Sequence, residues 1–253
     1  MLGLGLKIMD LIELGLIAKE TAKKAGNFLL SQKTKKKIIK SEEGRDIKLE
    51  LDRKTEELIR HELAITKIGV QGEEIVSNTD KKMRWVVDPI DGTANYFRGL
   101  NQSCVSIALM NGNESLIGII YDFNTDECYE AIKDQGAKLN DNFISVSSID
   151  LKNRATLTTG FPASESVTSS IEFLDALEGW KKIRMFGSAA LSCAYVASGK
   201  CDFYAEKGVF IWDFAAGICL VEEAGGKAQY SLIDDERYSC LLYTSPSPRD
   251  PSI

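Results

Sequence analysis

The sequence predicts a mixed α/β fold, with helices packed on both sides of mixed sheets, within one domain or two closely packed halves. Three observations predict it: a long helical period at the N-terminus, a run of short β-rich segments in the middle, and a return to alternating strands and helices in the second half. From Met9 to Leu30, Leu11, Leu14, Ala18, Ala22, Ala25 and Leu29 recur at three- and four-residue intervals, which is one face of an amphipathic helix. KTKKK (Lys33 to Lys37) reads as a solvated loop. A second helix is predicted from about Arg53 to Ile65, with Asp52 as its N-cap. Trp85 to Val87, Ser103 to Met110, Leu116 to Tyr121 and Cys128 to Ile132 are strand candidates punctuated by Gly, Asn and Asp. Further strands are predicted near Ala155 to Thr159, Ile183 to Phe186 and Asp202 to Tyr204, and helices near Glu165 to Leu177, Ala189 to Ala197 and Phe214 to Glu223. The sequence has no internal repeat.

The 253 residues are 44% hydrophobic and 27% charged, and five prolines without a Pro/Gly-rich linker favour a single domain. A net charge of −6 lacks the basic footprint of a nucleic-acid binder. No stretch reaches the roughly 20 apolar residues that span a bilayer. The N-terminal MLGLGLKIMDLIELGL is broken by Lys7, Asp10 and Glu13 and reads as a helix lead-in, so the expected location is the cytoplasm. The six cysteines are scattered, with no CxxC pair, and read as buried free thiols. His61, the only histidine, lies in the polar run KTEELIRHEL; a solvated histidine there removes Ser-His-Asp and Cys-His hydrolysis.

The most informative segment is Trp85-Val86-Val87-Asp88-Pro89-Ile90-Asp91-Gly92-Thr93, an apolar strand that runs into two acids. Unpaired buried carboxylates are costly, so something positive must compensate them. Pro89 fixes the backbone after Asp88 and Gly92 permits a sharp turn after Asp91, so both side chains can converge. An all-oxygen donor set suits a hard cation such as Mg²⁺. The competing reading is a strand-to-helix turn capped by Asp91. Glu73 and Glu74, upstream, and Asp213, at the start of the apolar helix Phe214-Ala215-Ala216-Gly217, are further acids at the ends of elements.

DPIDGTANYF (Asp88 to Phe97), GEE (Gly72 to Glu74) and WDFAAGICLVEEAGG (Trp212 to Gly226) together resemble the signature segments of the inositol monophosphatase family, from the N-terminal helix to about Lys227. The resemblance implies a layered αβαβα sandwich of the sugar-phosphatase type and a magnesium-dependent, lithium-sensitive phosphomonoesterase. It implies that Glu73, Asp88, Asp91, the Ile90 carbonyl and Asp213 hold two or three Mg²⁺ ions. Thr93, paired with Asp52, would hold the attacking water beside Glu73. Gly92 and Thr93 would offer N–H groups to the phosphate. Ser188 and Ala189 of the segment Gly187-Ser188-Ala189-Ala190 would contact the substrate, and Glu206 and Asp213 a substrate hydroxyl. Lys40 is a candidate for a loop lysine near the phosphate. The attack is in line, with no covalent phospho-enzyme.

The implied substrate is a phosphorylated polyol or sugar, first of all an inositol monophosphate, without nucleic acid or membrane and with a homodimer as the assembly. Relatives in the superfamily act on fructose 1,6-bisphosphate, histidinol phosphate or 3′-phosphoadenosine 5′-phosphate. A non-catalytic binding protein, such as an RNA-polymerase partner, is the alternative of a different class. Members normally continue through another strand and a terminal helix. Here LLYTSPSPRDPSI has three prolines in six residues and no periodicity. The expected layout is therefore a catalytic domain over 1–238, lacking that strand and helix and leaving an apolar face uncovered, with a non-native tail over 239–253.

Overall fold

The computed structural model describes residues 4–34, 39–43, 46–75, 82–161 and 177–244, with 4–10, 39–43 and 46–49 described by backbone alone. Helix α1 (Leu4–Gln32) is followed by a hairpin of β1 (Ile39–Glu43) and β2 (Asp46–Leu49) and by α2 (Glu50–Leu63). Seven strands then form one sheet in chain order: β3 (Gly69–Gly72), β4 (Met83–Asp91), β5 (Cys104–Asn111), β6 (Glu114–Asp122), β7 (Glu127–Ile132), β8 (Ala137–Leu139) and β9 (Asn142–Phe143). Helix α3 (Thr93–Arg98) interrupts the run between β4 and β5. The β3–β4 pair is parallel and the others are antiparallel.

The second half contains β10 (Thr156–Thr159), β11 (Lys182–Arg184), α4 (Ala189–Ala197), β12 (Phe203–Phe210), α5 (Ile211–Glu223), β13 (Lys227–Leu232) and β14 (Arg237–Tyr243). Its sheet has the order β11-β10-β12-β14-β13. The predicted helix from Glu165 lies outside the described residues up to position 176, as does the tail from 245.

Two apolar cores make the layers. Ala18, Ala22, Ala25 and Leu29 of α1, with Ile59 and Leu63 of α2, pack on Val87, Ile107 and Ile119 of the first sheet. Each large side chain so buried stabilises the fold by about 1.5–3 kcal/mol. The opposite face of that sheet meets α4 and α5, which are buried between it and Tyr204, Cys240 and Leu242 of the second sheet. The order helix, sheet, helix, sheet gives the first four layers of the expected sandwich. Gly118 of β6 lies where α5 comes closest: a Cβ there would run into the Ala216 carbonyl oxygen.

Two expectations need correction. Asp52 is not the cap of α2; the helix begins at Glu50 and Asp52 is buried in its first turn. Its side chain is engaged elsewhere, as described below. The fold also does not end at 238. Ser239–Tyr243 completes β14, which is hydrogen-bonded to β12 on one side and β13 on the other. Cys240 and Leu242 point into the core while Ser239 and Leu241 line an apolar groove on the outer face. Apolar residues on both faces hide the two-residue period, and pairing on both sides, not local propensity, makes this segment a strand. His61 is exposed, and all six cysteines are buried free thiols, as expected.

Candidate active site

The two acids of β4 owe their shared direction to a break in sheet register. Asp88 pairs with Ser106 and Asp91 with Cys104, so three steps along β4 match two along β5. In a regular strand Asp88 and Asp91 would face opposite ways. The extra residue turns them to the same face, because Ser106 and Cys104 are two apart on β5. Pro89, which has no N–H to donate, sits inside the bulge, where none is needed. Ile90 is thereby turned into the α1/α2 core while both acids face α4 and α5. The Ile90 N–H donates to Asp88 Oδ1 at 3.0 Å.

Gly92 follows in the left-handed region at φ 84°, and a Cβ there would meet the Gln102 carbonyl at 2.5 Å. It is the N-cap of α3 and has no side chain to cap with, so the reading of Asp91 as cap of this turn fails. Asp91 instead meets the start of α4. It accepts from the Ser188 hydroxyl, the Ala189 N–H at 3.2 Å and the Ala190 N–H at 2.8 Å, with the Cys104 thiol 3.6 Å away. Ser188 also caps α4, accepting from the Leu191 N–H at 3.2 Å. Its hydroxyl is thus turned toward Asp91 although the residue lines the cavity. Thr93 Oγ1 lies 2.9 Å from Asp52 Oδ1 and 2.8 Å from the Ile90 carbonyl oxygen. One hydroxyl proton can serve only one of these at a time. Asp213, in the first turn of α5, accepts from the Phe210 N–H at 2.8 Å.

These residues surround two adjoining cavities. A cavity of about 230 Å³ is lined by Glu73, Asp88, Ile90, Gly92 and Thr93, among others. A larger one of about 390 Å³ is lined by Asn95, Thr159, Ser188 and Ala189, among others. Asp91, Glu206 and Asp213 border both. No lysine or arginine of the described residues lines either. The side chain of Lys40 lies outside the described residues.

The electrostatics follow from burying several acids around one cavity. Burial pushes the Asp88 carboxyl well above its ordinary range, and the charges of Glu73, Asp91, Asp213 and Asp52 push it further. Burial, then the charge of Asp91, raise Asp213 well above its ordinary value against the opposing Phe210 N–H. Burial raises Asp91 too, against the hydrogen bonds from Ser188, Ala190, Ala189 and Cys104. Glu206 is pushed up to about 7, mainly by burial and also by Asp91, although the Tyr204 hydroxyl opposes the shift. Among the described residues no three acids converge as a ready-made ion cage. The donor chemistry nevertheless fits a hard divalent cation: carboxylate and carbonyl oxygens around one cavity, held at a mutual repulsion that a bound cation relieves.

Two contributors escaped the sequence reading. Glu56, one helical turn after Asp52, is buried and accepts from the Glu74 N–H at 2.7 Å, which buttresses the turn that carries Glu73. The signal was present, since Asp52, Thr55, Glu56 and Ile59 share one helix face. Asn95 donates its amide to backbone carbonyls of the second half, and no local pattern marks it.

The inositol monophosphatase family profile matches residues 10–231. The chain is 38% identical over 217 residues to the Nus factor SuhB of Xylella fastidiosa, covering 83% of this chain and 79% of that one. It is 37% identical over 183 residues to the inositol-1-monophosphatase of Rhizobium meliloti, covering 69% and 68%. The inositol monophosphatase of Anabaena (Nostoc) superposes with a TM-score of 0.79 at 30% identity, covering 91% of this chain and 90% of that one. The chain belongs to the inositol monophosphatase family and is a phosphoric monoester hydrolase.

Proposed function

We propose that this chain hydrolyses an inositol monophosphate, or a similar sugar phosphate, with Mg²⁺. The observation that carries the proposal is the β4 bulge, which turns Asp88 and Asp91 onto one face beside a cavity that Glu73 and Asp213 also line. In this reading Glu73, Asp88, Asp91, Asp213 and the Ile90 carbonyl hold two or three Mg²⁺ ions. Bound Mg²⁺ supplies the positive charge that a phosphate dianion needs and lowers the pKa of water. The Thr93 hydroxyl, with Asp52 accepting its proton at 2.9 Å, keeps lone pairs free to orient the attacking water, with Glu73 beside it. The Gly92 and Thr93 N–H groups meet the phosphate. Glu206 and Asp213 accept from substrate hydroxyls, and Ser188 and Ala189 form the wall against which the polyol rests.

The location proposed is the cytoplasm, where six buried thiols stay reduced, and the assembly a homodimer. Among the described residues no helix is long and apolar enough to cross a membrane. A second reading, a role carried by binding instead of hydrolysis, is favoured by the relatives named Nus factor SuhB. The test is phosphate release from inositol 1-phosphate, fructose 1,6-bisphosphate and 3′-phosphoadenosine 5′-phosphate, each with Mg²⁺ and with added lithium. Inositol 1-phosphate is expected to be hydrolysed fastest and lithium to inhibit. Preference for either other ester, or indifference to lithium, overturns the substrate assignment.

A further inference from the structure

The amide of Asn95 joins three separate segments around the larger cavity. Its Nδ2 lies 2.7 Å from the Phe186 carbonyl oxygen, 3.2 Å from that of Gly187 and 2.8 Å from that of Gln102. Two N–H groups face three acceptors, so the amide is saturated as a donor and its orientation is fixed. Asn95 sits on α3, directly after the acids of β4, whereas Phe186 and Gly187 lead into Ser188 and α4. Gln102 precedes β5 on the side where Gly92 makes its close approach. Asn95 and Gly187 both line the cavity bordered by Glu206, and Asn95 does not line the cavity that holds Glu73 and Asp88.

We infer that Asn95 is a positioning residue that sets the width of the alcohol-binding cavity by tying the wall at residues 186–188 to the helix that follows the phosphate-side acids. The inference rests on the phosphatase reading and deepens it. The wall is otherwise joined to β4 through Asp91, whose contacts with Ser188, Ala189 and Ala190 fix the start of α4. In the segment before Ser188 the Phe186 ring packs edge-on against Tyr195 of α4, while the Phe186 and Gly187 carbonyls take their donor from the amide. Without it the Phe186 and Gly187 carbonyls lose their donor and the wall relaxes, which alters the fit of a polyol more than that of a phosphate.

The test compares inositol 1-phosphate with 4-nitrophenyl phosphate, a flat ester without hydroxyls, on the full chain with Mg²⁺. Asn95→Asp keeps the size but turns an acceptor toward the carbonyls; Asn95→Ala removes the tie without adding charge. Both are expected to lower kcat/KM for inositol 1-phosphate by about tenfold relative to 4-nitrophenyl phosphate, with the loss in KM and not in kcat. An unchanged ratio in a variant that melts cooperatively, whether both rates hold or both fall equally, overturns the inference. Failure of both variants to fold also overturns it, since the amide is then a structural tie and no determinant of selectivity. A wild-type protein that hydrolyses neither ester removes the phosphatase reading itself, a result distinct from the other two.

Discussion

The two halves of the molecule deliver their functional groups by different means. In the seven-stranded half, Asp88 and Asp91 lie on β4 just beyond its pairing with β3, are paired with β5 alone, and are aimed by one inserted residue. In the five-stranded half, Ser188 and Asp213 come from the first turns or caps of α4 and α5, and Glu206 from β12 just before a register shift between Lys207 and Val209. The first arrangement is held by sheet hydrogen bonds and tolerates like charges at close quarters. The second depends on how two helices sit between two sheets, so its geometry is set by packing. Asp91 spans the difference, since a strand carries it and a helix start binds it.

The largest effect is expected where the halves meet. Asp91→Asn should lower kcat by about a thousandfold, roughly 4 kcal/mol of transition-state stabilisation. The carboxamide oxygen can still accept from the Ala190 N–H, so the variant should melt cooperatively. A rate near wild type removes Asp91 from the ligand set.

Next is packing at the seam. Gly118→Ala drives a Cβ into the Ala216 carbonyl and should destabilise the protein by about 1–3 kcal/mol in urea titration. A neutral result would mean that α5 is not wedged against β6. Within the first half, Thr93→Val removes the hydroxyl that meets Asp52 while keeping the shape, and should lower kcat by about 10–100-fold with KM little changed. A pure KM effect points instead to substrate contact.

The smallest effect is a pH slope in the second half. Glu206 has its folded pKa raised from 4.5 to about 7, so the folded protein binds its proton more tightly than the unfolded chain. That contribution is fully present below pH 4.5 and is lost as the pH rises through about 7. The melting temperature of the metal-free protein should therefore fall between these values, and Glu206→Gln should flatten the fall. A slope of equal size in that variant assigns it to other groups.

Legibility follows the same division. The β4 acids could be read because strand, bulge residue and turn glycine are contiguous, each with a local physical meaning. The local helix pattern misplaced Asp52 as a cap, since nothing within the helix points to Thr93, 41 positions away; only the resemblance paired the two. Strand β14 was missed because both its faces are apolar and its neighbours, not its own pattern, make it a strand. Asn95 and the buttress Glu56 act on distant backbone, which leaves no local period to detect.

The most direct test of the central claim, that the carboxylates of both halves form one Mg²⁺-dependent phosphomonoesterase site, is phosphate release from inositol 1-phosphate before and after chelation. EDTA is expected to abolish release and added Mg²⁺ to restore it. Release undiminished by EDTA would contradict the claim.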